Sequence, residues 1–176
     1  MATHKLMIAG FGGQGVLLIG QMIAYAAVLE GKEVTWMPSY GPEMRGGTAN
    51  CTVVVSDKPI AAPLITEATC VVAMNGPSLD KFESMVLPGM DLLVNTSVID
   101  YEPSRKDVKV HHVDITKTAD ELGNAKVANM VMLGAIVKCT GVVSMDSVKK
   151  VMAEKMTGKK AALIPLNEQA LDSWNE

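Results

Sequence analysis

A run of glycines near the beginning of the chain is the pattern with the clearest chemical use. Residues 10–15 (GFGGQG) satisfy the spacing G-x-G-x-x-G and lie between an apolar strand-like segment and a long apolar helix-like segment. Glycine adopts positive φ angles without steric cost, so such a run can turn tightly and expose its backbone amides. Amides at the N-terminus of a helix bind phosphate groups. Taken alone, the run therefore predicts a nucleotide phosphate at this turn.

The residues that follow the run do not complete a dinucleotide-binding motif. In that motif an acidic side chain about 20 residues further on, at the end of the second strand, binds a ribose hydroxyl. Here the second predicted strand, residues 34–37, is followed by Pro38 and Ser39, and no Lys-Ser/Thr pair completes a Walker A motif. A redox dinucleotide is therefore disfavoured. The alternative is that the glycines only pack the first helix closely on the sheet.

A second group of polar residues lies in the segment 40–47 (YGPEMRGG). It places a phenol, Tyr40, a carboxylate, Glu43, and a guanidinium, Arg45, on a loop braced by glycine and proline. The planar fork of arginine suits a carboxylate or a phosphate. The alternative is a solvated turn with a local pair between Glu43 and Arg45. If both glycine-rich loops leave the same edge of the sheet, we expect one ridge of exposed backbone that faces a ligand or a partner protein.

Composition limits the classes of function. With 176 residues, we expect a single domain over 1–176. A net charge of −3 without a basic stripe argues against nucleic acid as the main partner. Residues 1–9 lack a signal pattern and no apolar run is long enough for a membrane span, so a cytoplasmic chain without membrane contact is predicted. Three distant cysteines without a C-x-x-C pair indicate neither a disulfide framework nor a metal site.

The elements alternate as in an α/β protein, and the predicted fold is a three-layer α/β/α arrangement with a mixed, mostly parallel sheet and a Rossmann-like first β-α unit. Strands are predicted at 5–9, 34–37, 48–56, 70–74, 92–95 and 108–113, and helices at 16–29, 78–86, 127–139, 144–156 and 166–174. The loop 38–47 is too short and too rich in glycine and proline for a parallel crossover, so the third strand is expected to be antiparallel to a neighbour.

The predicted helix at 127–139 is apolar on nearly all sides. Such a helix should be buried on all sides. It is either a central core helix or a helix that lies partly at a subunit interface, and the sequence leaves both alternatives open.

Several blocks of the sequence together resemble one family. GFGGQGV at 10–16, YGPEMRGG at 40–47 followed by CTVVVS at 51–56, LGNAKVANMVMLGA at 122–135 and LNEQA at 166–170 are similar to the gamma subunit, or gamma-type domain, of 2-oxoacid:ferredoxin oxidoreductases. The 2-oxoglutarate and 2-ketoisovalerate enzymes are examples. The resemblance spans nearly the whole chain, with the blocks in the same order.

The resemblance implies a subunit of an enzyme that oxidatively decarboxylates a 2-oxoacid to an acyl-CoA and reduces ferredoxin. Thiamine diphosphate, Mg and iron–sulfur clusters are expected on alpha, beta and delta-type subunits, so this chain should bind none of them tightly and should be inactive alone. Its expected contribution is docking surface and part of the coenzyme A site. No catalytic residue and no metal ligand is predicted in this chain.

The resemblance and the two loops together give a candidate edge that faces coenzyme A or a neighbouring subunit. Its residues are Gly12, Gly13, Gln14 and Gly15 of the first loop and Tyr40, Glu43, Arg45 and Gly46 of the second. Two other classes remain: a stand-alone nucleotide-binding enzyme, which should bind NAD, FAD or ATP, and a purely structural subunit without a ligand. No residue identifies the 2-oxoacid. Apolar surface deprived of its partners would favour a homodimer of the isolated chain.

Overall fold

A six-stranded mixed sheet forms the centre of the computed structural model, which describes residues 3–40 and 48–176. Its strands are β1 (Thr3–Phe11), β2 (Glu33–Tyr40), β3 (Thr48–Ser56), β4 (Ala68–Ala73), β5 (Val86–Asn95) and β6 (Lys109–Val113). Their order across the sheet is β2-β3-β1-β4-β5-β6. Strand β3 is antiparallel to both β1 and β2, whereas β1, β4, β5 and β6 are parallel neighbours. The predicted mixed, mostly parallel sheet is confirmed.

Helices cover both faces of the sheet, but unequally. They are α1 (Val16–Leu29), α2 (Gly76–Phe82), α3 (Ile115–Glu121), α4 (Ala128–Thr140), α5 (Met145–Lys155) and α6 (Ile164–Ser173). Residues of α1, α3, α4, α5 and α6 form one hydrophobic core with one face of the sheet, and α2 packs on the opposite face. The three-layer arrangement is therefore confirmed, with a thin second helical layer. None of the helices in the described ranges is long and apolar enough to cross a bilayer.

The structure corrects the bounds of three predicted elements and adds one helix. Strand β2 continues to Tyr40 rather than ending before Pro38; since β2 lies at the edge of the sheet, a residue without an N–H is tolerated there. The helix predicted to reach residue 86 ends at Phe82, and β5 begins at Val86. Helix α3 was not predicted, although Asp114 caps it by accepting a hydrogen bond from Lys117 N.

Helix α4 is a core helix. All residues from Met130 to Val137 are buried within this chain, so the core alternative is the correct one for this stretch. Close contact with α6 requires Gly134, because a Cβ atom at this position would lie 2.7 Å from the carbonyl carbon of Leu171.

Candidate functional site

The glycine loop lies at one edge of the sheet together with the ends of four other strands. Since β1 and β2 are both antiparallel to β3, they run in the same direction and both end at this edge. The parallel strands β4, β5 and β6 end there too, and we call this the carboxyl edge. Strand β3 begins at the same edge, where Thr48 lies opposite Phe11 and Ala49 opposite Tyr40.

The two predicted loops therefore begin at the same edge of the sheet, which is the condition for the predicted ridge. The chain leaves β1 after Phe11 into the turn at residues 12–15, and it leaves β2 after Tyr40. Glu43, Arg45 and Gly46 lie outside the described residues, so their place in the ridge stays a prediction.

The connections on either side of the turn diverge, which creates a crevice. Strand β1 leads through α1 on one face of the sheet, whereas its neighbour β4 leads through α2 on the other face. In open α/β sheets, ligands bind at such a switch point, outside the carboxyl ends of the strands. The turn at residues 12–15 follows β1 directly, so it lies at this point.

The glycines of the loop serve two different purposes. A Cβ atom at Gly10 would lie 2.7 Å from Met74 Cβ, and one at Gly15 would lie 2.6 Å from Asn129 Nδ2, so both positions need glycine for packing. Gly13 and Gly15 both have a positive φ, 93° and 78°, but they differ in their surroundings: no other atom lies within 4 Å of where a Cβ of Gly13 would be. The packing alternative therefore explains Gly10 and Gly15, whereas Gly13 is an open backbone position at the surface.

The side chain of Gln14 holds the turn in place. Its Oε1 accepts a hydrogen bond from Phe11 N at 2.7 Å, and its Nε2 donates to Met74 O at 3.1 Å. The same carbonyl accepts from Asn95 Nδ2 at 3.1 Å, and Met74 N donates to Ala9 O. The amide group thus ties the turn to the residue after β4. The predicted contact of Gln14 with coenzyme A or a neighbouring subunit stays a prediction.

The N-terminus of α1 favours an anion. Its N-cap is Gly15, with φ 78°, whose carbonyl accepts from Ile19 N at 3.0 Å. No side chain caps the helix and no acidic residue lies in its first turn. The first amides of a helix have no partner within the helix, and the helix dipole gives this end a partial positive charge.

Depressions lie on both sides of the turn. One, of about 290 Å³, lies between residues 11–18 and the beginning of β3 at Thr48. The other, of about 400 Å³, extends from Gly13 to Asn95 and to Lys126 and Asn129 near the beginning of α4. We call the second one the switch cleft. An ammonium group and carboxamides line it without a carboxylate, so its charge suits an anion.

Sequence reasoning did not assign Lys126 and Asn95 to this site. Both are far from the glycine loop in sequence, and only the packing of α4 beside α1 and the end of β5 brings them to it. The block LGNAKVAN was the available signal, since it belongs to the family resemblance and contains Lys126 and Asn129. In that block, Asn124 Oδ1 accepts from Lys126 N at 3.0 Å and so fixes the beginning of the following helical turn.

Among the described residues, no histidine or cysteine lines the two depressions beside the turn. His111 is buried and its Nε2 lies 2.9 Å from Asp91 Oδ1, whereas His112 is exposed and pairs with Glu102 at 3.0 Å. They are adjacent in β6, so they face opposite sides of the sheet. Cys51 and Cys70 are buried, and burial raises the pKa of the Cys51 thiol to about 12. Cys139 is only partly buried.

Comparison with known proteins places the chain in a family. The family model for pyruvate ferredoxin/flavodoxin oxidoreductase matches residues 5–173. Ketoisovalerate oxidoreductase subunit VorA of Methanothermobacter thermautotrophicus is 37% identical over 173 residues, which cover 98% of this chain and 36% of that relative. The chain thus spans about a third of the length of that relative.

Solved structures share the fold. The gamma subunit of the keto/oxoacid ferredoxin oxidoreductase from Geobacter sulfurreducens is 30% identical, with a TM-score of 0.81 over 96% of this chain and 94% of that one. The 2-oxoglutarate:ferredoxin oxidoreductase from Magnetococcus marinus, solved with 2-oxoglutarate, coenzyme A and succinyl-CoA bound, is 25% identical, with a TM-score of 0.88 over 98% of this chain and 30% of that one. Since the family model covers nearly the whole sequence, this chain belongs to the pyruvate ferredoxin/flavodoxin oxidoreductase family.

Proposed function

We propose that this chain is a gamma-type subunit or domain of a 2-oxoacid:ferredoxin oxidoreductase. The assembly would oxidatively decarboxylate a 2-oxoacid to an acyl-CoA and pass the electrons to ferredoxin. The observation that carries the proposal is the fold match, over nearly the full length of both chains, to a subunit named gamma. Alpha, beta and delta-type subunits are the proposed partners, and the cytoplasm is the proposed location.

The role proposed for this chain is to dock at its carboxyl edge and to form one wall of the coenzyme A site. Coenzyme A carries anionic phosphates, which suit the uncapped amides of α1 and the ammonium group of Lys126 in the switch cleft. The match to an enzyme solved with coenzyme A bound supports this ligand. In this proposal the amides of Gly13 and of residues 15–18 bind and orient a phosphate, whereas Gln14, whose own N–H donates to Phe11 O, holds the turn in position.

Thiamine diphosphate, Mg and the iron–sulfur clusters are assigned to other subunits in this proposal. Clusters need several thiolates, whereas Cys51 and Cys70 are buried in separate strands. Among residues 3–40 and 48–176, no three His, Cys, Asp or Glu side chains are grouped so that they could hold a metal ion. In this proposal the chain contributes no step of the redox chemistry.

The alternative of a stand-alone dinucleotide enzyme has less support. Strand β2 ends at Ser39 and Tyr40 without a carboxylate that could bind a ribose hydroxyl. Beyond β2 the chain forms the antiparallel strand β3 instead of a second crossover helix. The 2-oxoacid is not assigned, since the family and the similar proteins are named for three different ones, pyruvate, ketoisovalerate and 2-oxoglutarate.

Purification of the chain at its native expression level tests this proposal. We expect thiamine-dependent subunits to co-elute, and we expect calorimetric titration to give tighter coenzyme A binding to the assembly than to the isolated chain. Titration with NAD, FAD and ATP is the control and should give no heat of binding. If no thiamine-dependent subunit co-elutes, the proposal that this chain is a subunit of a 2-oxoacid:ferredoxin oxidoreductase is contradicted. If the assembly binds coenzyme A at a site that this chain does not line, only the structural role of this chain remains.

A further inference from the structure

A third depression lies on the helical face of the molecule, beside the switch cleft; the two share Lys126 and Asn129, but the third is lined mainly by apolar side chains. It has a volume of about 400 Å³ and lies between α1, α5 and the beginnings of α4 and α6. Leu18 and Leu163 contribute to its apolar lining. Four methionines also line it: Met156 is partly buried, whereas Met22, Met130 and Met152 are 4%, 5% and 1% exposed and lie at its floor. We call this depression the methionine groove.

The rim of the methionine groove is positively charged. Lys126, Lys155 and Lys160 line it and are exposed, and the lining contains no carboxylate. Within the part of the chain that the structure describes, none of the three forms a salt bridge. The chain as a whole carries 19 acidic and 16 basic residues, so this local excess of lysine is opposite in sign to the net charge. An acidic binding partner would complement it.

Exposed apolar surface extends from the groove along α1. Leu18, Tyr25, Val28 and Leu29 are 45%, 45%, 59% and 48% exposed, and α1 contains no charged residue. From Leu18 to Leu29 this surface runs for about 16 Å at the rise of an α-helix. The Nζ of Lys155 lies 4.2 Å from the ring centroid of Tyr25, so the charged rim adjoins the apolar surface. Surface of this length is suited to a protein segment rather than to a small molecule.

The two helices that form the walls are fixed to each other. At the C-terminal end of α1, Glu30 Oε1 accepts a hydrogen bond from Ser144 N, the N-cap of α5, at 2.7 Å. Burial alone would raise the pKa of Glu30, but hydrogen bonds from Ser144 and Lys32 outweigh it and lower the pKa to about 2. This carboxylate joins the C-terminal end of α1 to the N-terminus of α5, at the opposite ends of these helices from the groove.

The side-chain amide of Asn167, which lines the groove, can form a stronger hydrogen bond than the one it has. Asn167 is 6% exposed, and among residues 3–40 and 48–176 its Nδ2 donates only to the sulfur of Met156, at 3.4 Å. A thioether is a weak acceptor. A carbonyl or carboxylate oxygen of a bound segment would be a better partner for this N–H.

We propose that the methionine groove and the exposed face of α1 bind an amphipathic helix of a partner protein, with acidic residues flanking its apolar stripe. Methionine side chains adapt to the shape of an apolar partner. Helical and 3₁₀ segments line the groove without a strand edge, so an extended peptide would leave its backbone unpaired, whereas a helix satisfies its own. Acidic flanks would pair with the three lysines. This inference does not require the proposed oxidoreductase role.

Two synthetic helical peptides test the proposal on the full chain. Both are about 18 residues long, so that they form helices in water, and both carry leucines at i, i+3, i+4 and i+7; one has glutamate flanks and the other lysine flanks. We expect fluorescence anisotropy to give about 10-fold tighter binding of the glutamate peptide, a difference of about 1.4 kcal/mol. With ¹³C-methyl methionine, we expect shifts at Met22, Met130, Met152 and Met156 and none at the exposed Met37 and Met90.

Charge reversal supplies the matched control. A variant with Lys126→Glu, Lys155→Glu and Lys160→Glu should reverse the preference and bind the lysine peptide more tightly. A second variant reverses three exposed lysines elsewhere, with Lys58→Glu, Lys81→Glu and Lys109→Glu. Its net charge changes equally, and it should keep the wild-type preference.

Four results would overturn the proposal. Equal affinity for the two peptides would show that the three lysines do not select an acidic partner. An absence of saturable binding would show that the groove does not bind an amphipathic helix. Coenzyme A alone shifting the same four methionine methyls and displacing the peptide would assign the groove to that ligand. A concentration-dependent dimer that shifts the same methyls without peptide would assign it to a second copy of the chain.

Discussion

Replacing Gly134 with alanine is expected to lower the free energy of unfolding by about 3 kcal/mol, at the upper end of the cost of overpacking a core. The new Cβ would lie 2.7 Å from the carbonyl carbon and 2.9 Å from the Cα of Leu171. These are backbone atoms of α6, so no rotamer change relieves the clash. Helix propensity alone would stabilise the alanine variant by about 1 kcal/mol, so the sign of the effect tests the packing. Urea unfolding followed by circular dichroism measures it.

Gly31→Ala is the control for this experiment. Gly31 has φ 74°, and no other atom lies within 4 Å of where its Cβ would be, so only the positive φ is unfavourable there, at about 1–2 kcal/mol. A Gly134→Ala variant as stable as the wild type would show that α4 and α6 are further apart than described here.

Replacing Gly13 with aspartate is expected to weaken coenzyme A binding to the assembled enzyme by about 10-fold relative to Gly13→Asn, or about 1.4 kcal/mol. The two side chains have the same shape, so only the negative charge near the bound phosphates differs. Asparagine tolerates a positive φ, and the position is open, so both variants should fold. Isothermal titration of the assembly with coenzyme A measures the difference.

The stability of these variants should change in the opposite sense to their affinity. A carboxylate near the N-terminus of α1 interacts favourably with the helix dipole, by about 0.3–1 kcal/mol, so Gly13→Asp should be at least as stable as Gly13→Asn. Gly31→Asn and Gly31→Asp form the matched pair at the other end of α1, where φ is also positive and the space is also open. Their affinities for coenzyme A should be equal to each other. If the Gly13→Asp and Gly13→Asn assemblies bind coenzyme A with equal affinity, the phosphates do not lie near the turn.

Elements bounded by strong local signals could be predicted from the sequence. The bounds predicted for α1 are those observed, Val16–Leu29, because glycine precedes the helix and Gly31 follows it. Strand β3, Thr48–Ser56, was also predicted with its bounds, since its β-branched run has no competing helical pattern. The antiparallel pairing of β3 followed from the shortness of the preceding loop.

Features that depend on distant residues could not be predicted. The role of Gln14 depends on a carbonyl 60 residues away, and the switch cleft depends on Lys126. The start of β5 at Val86 depends on pairing with Ala68, which overrides the local pattern. Thirteen methionines are evident in the sequence, but only tertiary packing gathers four of them into one groove.

Hydrogen–deuterium exchange at the glycine turn tests the central claim, that the carboxyl edge docks in an assembly and faces coenzyme A. Exchange at the amides of residues 12–18 is compared in the isolated chain, in the purified assembly and in the assembly with coenzyme A. The exposed loop at residues 57–62 serves as the internal reference. We expect exchange at residues 12–18 to slow by about 10-fold or more on assembly, and to slow further with coenzyme A. Equal exchange in all three states would contradict the claim.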